Sequence, residues 1–168
     1  MENSRIFRIK FTYCDEGERG GSLIKVKSEA LAQCVNYTDA EALSCKIIAE
    51  EMMDRFGSVD VEIIKTKVFR EDIFVNDILD KSEMPMCGLA EYRVDTDRCG
   101  LYSVDVKVLG NPDEKTKSFK MTYIVPATNV SNATTCVKST LIDLTQEYVI
   151  QCVKLDSATS IYVKNQQA

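Results

Sequence analysis

Apolar and polar side chains alternate one by one along the first part of the chain, from Phe7 to Tyr13. A period of two is that of a half-buried β-strand, because successive side chains of a strand point to opposite faces. A polar, glycine-rich turn over 14–21 follows, and residues 23–35 form a second extended run. The pattern predicts a hairpin with a mobile tip and with an interruption of its second strand near Ser28-Glu29.

The next segment has the pattern of a capped amphipathic helix. Thr38 is the expected N-cap, and Glu41, three residues later, completes a capping box. Gly57 is expected to end the helix in a left-handed conformation, and alternation over 59–63 predicts a third strand. The expected buried stripe of the helix consists of Ala42, Cys45, Ala49, Met52 and Phe56.

The second half of the chain repeats this order. The sequence Asn36-Tyr37-Thr38-Asp39-Ala40, at the start of the first helix, is matched by Asn129-Val130-Ser131-Asn132-Ala133. Strands are predicted over 102–108, 119–125 and 148–155, with a helix from Ser131, its expected N-cap, to Leu144 and an edge or bend at Pro126. The sequence over 69–97 is irregular, with a short helix expected over 71–79.

These patterns predict an α+β fold made by tandem duplication of a ββαβ unit. Antiparallel hairpins would form the sheet or sheets, with the two helices on one side and an approximate two-fold axis between the copies. The expected organisation is a first repeat over 1–68, a connector over 69–99 and a second repeat with a C-terminal tail over 100–168, all in one compact domain. A groove along the axis is the first place where a ligand is expected.

The composition argues against several kinds of chemistry. The 168 residues include no histidine, which is the commonest general base and the commonest transition-metal ligand. The glycine-rich turn lacks the Lys-Ser/Thr ending of a phosphate-binding loop, and the acidic flank of the first helix shows no metal-ligand spacing. We therefore expect a protein that is not an enzyme and that holds no metal or cofactor.

The cysteines and the apolar segments bear on the compartment. Seven cysteines without a Cys-x-x-Cys pair are typical of a reducing compartment, where a thiol behaves as a small apolar group. Those expected to be buried are Cys34, Cys45, Cys136 and Cys152, and a Cys87–Cys99 disulfide is the less favoured alternative. No segment has the roughly 20 apolar residues of a membrane span, and the N-terminus lacks a secretory signal pattern. The expected location is the cytoplasm, without membrane contact.

Charge patterning gives the one positive indication of function. If the strands are neighbours, alternation brings a set of cations to one exposed sheet face: Arg8, Lys10, Lys25, Lys27, Lys65 and Lys67. Such a face would bind a phosphate backbone through release of counterions. The net charge of -5 and the inward position of the strand aromatics favour the alternative, which is an ordinary solvated strand face.

Four segments together form a recognisable pattern: Val35-Asn36-Tyr37-Thr38-Asp39-Ala40-Glu41-Ala42, Phe7-Arg8-Ile9-Lys10, Tyr102-Ser103-Val104-Asp105 and Tyr123-Ile124-Val125-Pro126-Ala127. This pattern resembles that of an uncharacterised family found in gut Bacteroidetes and the phages that infect them. The resemblance covers roughly residues 5–155. It implies a phage or mobile-element context and supplies no catalytic residues.

Together these features lead to two functional hypotheses. The first is a non-enzymatic accessory protein that binds nucleic acid, single-stranded DNA in particular, through the basic strand faces. The alternative is an interaction or anti-defence protein that inhibits a host protein or sequesters a small nucleotide signal. The expected partners are accordingly single-stranded nucleic acid or a host protein, and association into a homo-oligomer is compatible with both.

Overall fold

The computed structural model describes residues 4–16, 23–52 and 56–165, and it has the mixed α+β composition expected from the sequence. The strands are β1 (Arg5–Glu16), β2 (Leu23–Cys34), β3 (Phe56–Lys65), β4 (Asp80–Lys81), β5 (Ala90–Arg93), β6 (Gly100–Val108), β7 (Phe119–Ala127), β8 (Tyr148–Leu155) and β9 (Ser160–Val163). The helices are α1 (Tyr37–Glu51) and α2 (Val130–Thr140). The pairings β1–β2, β1–β3, β5–β9, β6–β7 and β6–β8 are antiparallel, and β2 pairs with β9 in parallel.

The chain folds into two compact units. The first unit consists of Met1–Thr66, Lys81–Arg93 and Ala158–Ala168, and the second consists of Lys67–Asp80 and Val94–Ser157. Within each unit a strand, a second strand, a helix and a third strand follow one another, and the first strand lies at the centre of the three. The strand orders are β3-β1-β2 in the first unit and β7-β6-β8 in the second.

The sheet of the first unit has six strands in the order β3-β1-β2-β9-β5-β4. Pairing of β1 with β2 is continuous from Arg5 opposite Cys34 to Glu16 opposite Leu23, so the interruption expected near Ser28-Glu29 is wrong. The irregularity lies instead between β1 and β3, at Thr12 to Cys14. Residues 17–22, which contain most of the expected mobile tip, lie outside the described residues.

The alternation in β1 produces the core of the first unit. Phe7, Ile9 and Phe11 are buried in one cluster with Leu43 and Ile47 of α1. Each such side chain contributes about 1.5–3 kcal/mol through removal of its surface from water. The other half of the alternation faces away from α1, and it carries the predicted basic residues.

Helix α1 begins earlier and ends earlier than the sequence suggested. Its N-cap is Asn36, whose side chain accepts a hydrogen bond from the Asp39 backbone N–H at 2.9 Å, so the expectation for Thr38 is wrong. The Asn36 side chain, one residue before the helix, reaches the third helical amide, whereas Thr38 already lies inside the first turn. Phe56 and Gly57 belong to β3 and do not end the helix.

The buried stripe of α1 is also displaced from the predicted one. The buried residues are Ala40, Leu43, Ser44 and Ile47, whereas Ala42, Cys45 and Ala49 are exposed. Among the remaining cysteines expected to be buried, Cys34 is buried, Cys136 is half-buried and Cys152 is exposed. All seven cysteines are free, including Cys87 and Cys99.

In the second unit, α2 packs on the three-stranded sheet through Ala133 and Val137. Its N-cap is Asn129, whose side chain accepts from the Asn132 N–H at 2.8 Å, so the expectation for Ser131 is wrong for the same reason as in α1. The helix ends at Thr140 and not at Leu144. The helix expected over 71–79 is a single 3-10 turn, Arg70–Asp72.

A buried carboxylate joins β5, β9 and α1 in the first unit. Glu91 is 3% exposed and accepts hydrogen bonds from Arg93 Nε at 2.6 Å and from the Tyr162 hydroxyl at 3.3 Å. Arg93 also pairs with Glu51 of α1. Burial, followed by the charges of Glu51 and Glu91, raises the pKa of Tyr162, which keeps its hydroxyl protonated as the donor.

Candidate functional site

Four of the six cations named from the sequence share one face of the first sheet. Arg8 and Lys10 of β1 lie on the face away from α1, and the β1–β2 register places Lys27 opposite Thr12 and Lys25 opposite Cys14 on that same face. Lys25 and Lys27 are exposed, whereas Arg8 and Lys10 are half-buried.

Carboxylates are interleaved with these cations. Lys10 lies between Glu29 of β2 and Glu62 of β3, and Asp60 lies opposite Thr12. Arg8 Nη1 is 3.4 Å from Glu29 Oε1. The three carboxylates line a shallow pocket of about 360 Å³ together with Lys10 and Lys27. The face is therefore mixed in charge, and its attraction for a phosphate backbone is weak.

The other two cations are located elsewhere. Lys65 lies opposite Phe7, on the α1 side of the sheet, contrary to the prediction of a shared face. The physical reason is the period of two, since Ile64 is the β3 residue opposite Arg8 and its neighbour must point the other way. Lys67 lies beyond the end of β3 and belongs to the second unit.

Lys67 lines a pocket of about 480 Å³ in the second unit, which we call the β7 pocket. The pocket forms where the chain from residue 67 to 74 runs beside β7, and the Phe74 N–H donates to the Ile124 carbonyl at 2.9 Å. Its other lining residues are Phe69, Asp72, Asp105, Phe119, Lys120, Met121, Thr122 and Gln151.

Polar groups of the β7 pocket are ordered by the fold. Asp105 of β6 accepts a hydrogen bond from the Thr122 hydroxyl of β7 at 2.8 Å. Asp72 is 7% exposed, and burial, with a smaller contribution from the charge of Glu71, raises its pKa to about 6. These groups offer hydrogen-bond acceptors inside the pocket, and Asp72 also offers a donor when it is protonated.

Aromatic and cationic side chains lie at the surface of the same pocket. Phe69 is 51% exposed and Phe119 is 47% exposed. Lys67 and Lys120 are exposed beside them in the sequence. Sequence reasoning missed this group because it took the aromatics to face inward, whereas Phe69 and Phe119 are exposed. The available signal was an aromatic within two residues of a lysine at both places, Lys67-Val68-Phe69 and Phe119-Lys120.

A family model described as Domain of unknown function (DUF4494) matches residues 5–164. The chain belongs to this family. The expected resemblance to a family of unknown function is thereby confirmed, and the phage context that it implied stays a prediction. No curated protein and no solved structure matches this DUF4494 member.

Two absences hold for the part of this DUF4494 member that the structure describes. Within 4–16, 23–52 and 56–165, no three His, Cys, Asp or Glu side chains form a cluster that would hold a metal ion. In the same part of the chain, neither helix has the length and apolar character that a membrane crossing requires.

Proposed function

We propose that this protein binds single-stranded DNA, without catalysing a reaction, in the β7 pocket of its second unit. The observation that carries the proposal is the exposure of Phe119 beside Lys120 at a pocket with ordered polar groups inside it. The proposal thus has the same ligand as the hypothesis drawn from the sequence, single-stranded DNA, and it retains one of the predicted residues, Lys67. It places the binding site in the second unit and not on the basic strand face.

The side chains suit the two parts of a nucleotide. An exposed aromatic ring stacks on a base, and each such contact contributes about 1–3 kcal/mol with little dependence on base identity. Lys67 and Lys120 would neutralise neighbouring phosphates, so binding would weaken as salt increases. A volume of about 480 Å³ lies in the range of small-molecule sites and accommodates a nucleotide.

The mixed charge of the first-unit face supports this choice of site. Lys10 lies directly opposite Glu29 and Glu62. Arg8 lies opposite two apolar residues and forms an ion pair with Glu29. A phosphate approaching Lys10 would meet the repulsion of Glu29 and Glu62. The exposed Lys25 and Lys27 are therefore the appropriate control for the pocket.

We also infer that the two units descend from one ββαβ module. The matched sequences at the helix starts support this, as do the Asn caps at Asn36 and Asn129 and the central position of the first strand in each unit. The two-fold relation between the copies stays a prediction. Sequestration of a free nucleotide signal, the alternative function, would use the same chemistry in the same pocket. Competition by a mononucleotide distinguishes it from binding of single-stranded DNA.

Fluorescence anisotropy with a labelled oligothymidine of about 15 nucleotides, at low and at moderate salt, tests the proposal. The Phe119→Ala/Lys120→Glu variant is expected to weaken binding about tenfold or more, equivalent to 1.4 kcal/mol. The matched control, Lys25→Glu/Lys27→Glu, is expected to bind within about twofold of the wild-type protein, because those lysines lie outside the pocket.

Three results would contradict the proposal. Absence of micromolar binding at low salt would remove the function. Loss of binding in the Lys25→Glu/Lys27→Glu control, with normal binding by the pocket variant, would show that DNA binds the strand face of the first unit and not the β7 pocket. Displacement of the oligonucleotide by thymidine monophosphate at equal nucleotide concentration would identify a free nucleotide as the ligand.

A further inference from the structure

The sheets have four outer strands, and three of them are protected against pairing with another chain. Strand β3 carries Asp60, Glu62 and Lys65, β4 has only two residues, and β7 is joined by the hydrogen bond from Phe74 to Ile124. Charges, short length and coverage are the usual means by which proteins block an exposed strand edge. Strand β8 is less protected: it is long, none of the described residues pairs with its outer edge, and it carries a single charge.

Strand β8 is eight residues long, contains neither proline nor glycine, and carries one charge, Lys154. Among the described residues it pairs only with β6, so its second edge is unpaired within that part of the chain. Its side chains are unusually exposed for apolar residues: Val149 is 49% and Leu155 is 64% exposed.

Along β8, side chains that face inward and side chains that face outward follow one another in the same order from either end of the strand. Tyr148, Ile150, Val153 and Leu155 lie opposite β6 residues on the α2 side. Val149, Cys152 and Lys154 lie on the outer side, and Gln151 joins them because it lines the β7 pocket beside Asp105. Two consecutive residues share the outer side because the β6–β8 register shifts between Asp105 and Val106, which is a β-bulge.

We propose that β8 pairs antiparallel with β8 of a second copy of this chain, about a two-fold axis between Gln151 and Cys152. In this register Tyr148 faces Leu155 and Ile150 faces Val153 on the α2 side of the joined sheet. On the outer side Val149 faces Lys154 and Gln151 faces Cys152. Each pair matches inner with inner or outer with outer, and no two like charges are opposed.

The bulge is what permits this register. In a regular strand, residues whose numbers differ by an odd amount point to opposite faces, so pairing about a point between two residues would oppose inner to outer positions. The extra residue at Gln151 reverses the alternation at the centre of β8. Shifting the register by one residue in either direction places Ile150 opposite Lys154 or Val149 opposite Val153, which mixes the two faces.

The resulting dimer would have one continuous sheet of six strands, with the two outer sides on the same surface. The β7 strands of the two copies would be five strand spacings apart, roughly 24 Å at about 4.8 Å each. The two β7 pockets would then face one ligand, and a long oligonucleotide would gain from bivalent binding if the proposed function holds. The association itself does not depend on that function.

Opposed charges across the two copies provide the test. Val149→Lys places a lysine opposite the partner's Lys154 at both ends of the interface and is expected to raise the dimer dissociation constant at least about tenfold. Adding Lys154→Glu should restore association. Within one copy these positions are five residues apart on a strand, about 17 Å, so restoration would come only from contact between copies.

Sedimentation equilibrium over a range of concentrations measures the dissociation constant, and circular dichroism verifies that each variant is folded. Ile142→Lys, at a side chain that is 78% exposed outside β8, is the matched control and should leave association unchanged. A wild-type protein that stays monomeric at about 100 μM overturns the proposal, since an association weaker than about 5.5 kcal/mol is not a stable dimer. Failure of Lys154→Glu to rescue a folded Val149→Lys variant also overturns it.

A covalent trap tests the register. Gln151→Cys places a thiol directly opposite the partner's Cys152, at a Cα separation that a disulfide accepts. Oxidised glutathione should then give a covalent dimer that dithiothreitol reverses. The same variant with Cys152→Ser should cross-link much more slowly. Equal cross-linking of the two variants would exclude this register.

Discussion

The buried environment of Asp72 makes the stability of the fold depend on pH. Its pKa is raised from the ordinary 3.8 to about 6 by burial and, to a smaller extent, by the charge of Glu71. The folded state therefore binds this proton more tightly than the unfolded state does. This tighter proton binding by Asp72 stabilises the folded state fully below about pH 4, and the stabilisation is lost as the pH rises through about 6.

We predict that Asp72→Asn removes this pH dependence. Between about pH 4 and pH 6, one additional proton in the folded state lowers the free energy of unfolding by up to about 1.4 kcal/mol for each unit of rising pH. Urea unfolding of wild type and variant at several pH values measures the difference between their slopes. Parallel plots of the free energy of unfolding against pH would show that Asp72 titrates at an ordinary pKa in the folded protein. The control is Glu71→Gln, which leaves the buried carboxyl in place and should change the slope much less.

At the scale of the elements, the two helix starts are fixed by asparagine and not by the hydroxyl residues two positions later. Asn36 accepts from the Asp39 N–H, and Asn129 accepts from the Asn132 N–H. We predict that Asn36→Ala or Asn129→Ala lowers the free energy of unfolding by about 1 kcal/mol, because a helix N–H loses its acceptor. Thr38→Ala and Ser131→Ala are the matched controls and should stay within about 0.5 kcal/mol of wild type.

Chemical denaturation followed by circular dichroism measures these differences. Equal losses for Asn36→Ala and Thr38→Ala would contradict the assignment of the cap. The comparison is informative because the two residues lie in the same turn, and both are exposed, so that burial does not distinguish them.

The pattern of apolar and polar residues predicted those strands and helices whose sequence alone carries a clear periodicity. Alternation and extended apolar runs predicted β1, β2, β3, β6, β7 and β8, since strand faces repeat within a few residues. The same patterns did not reveal β5 and β9, which have four residues each and find their partners far away along the chain, as Tyr92 does opposite Ile161. The end of α1 was misplaced because Phe56 fits a helical stripe as well as it fits the strand that it begins.

The candidate site was also predictable only in part, because alternation fixes the face of a residue but not its neighbours on other strands. Alternation alone implied that Arg8 and Lys10 share a face. The carboxylates beside Lys10 depend on which residues of β2 and β3 lie opposite it, and that register is a tertiary property. The β7 pocket depends on the path of residues 67–74 beside β7, for which the sequence carries no periodic signal.

At the scale of the whole molecule, the first unit is assembled from three separate stretches of the chain. Strand β9 comes from the last stretch and lies between β2 and β5. Its Tyr162 is 1% exposed, packs in the core with Phe7 and Phe11, and donates to the buried Glu91. This side chain therefore joins the three stretches through both apolar packing and a hydrogen bond.

We predict that Tyr162→Ala destabilises the first unit by about 3–5 kcal/mol, because it leaves a cavity in the core and an unsatisfied carboxylate at Glu91. Tyr162→Phe keeps the packing and should cost only about 1–2 kcal/mol for the lost hydrogen bond. Hydrogen exchange followed by mass spectrometry would locate the effect, since amides of β1, β2 and α1 should lose protection while those of β6 and β7 retain it. If protection falls equally in β1 and β6, the effect of Tyr162→Ala is not confined to the first unit, and the prediction is wrong.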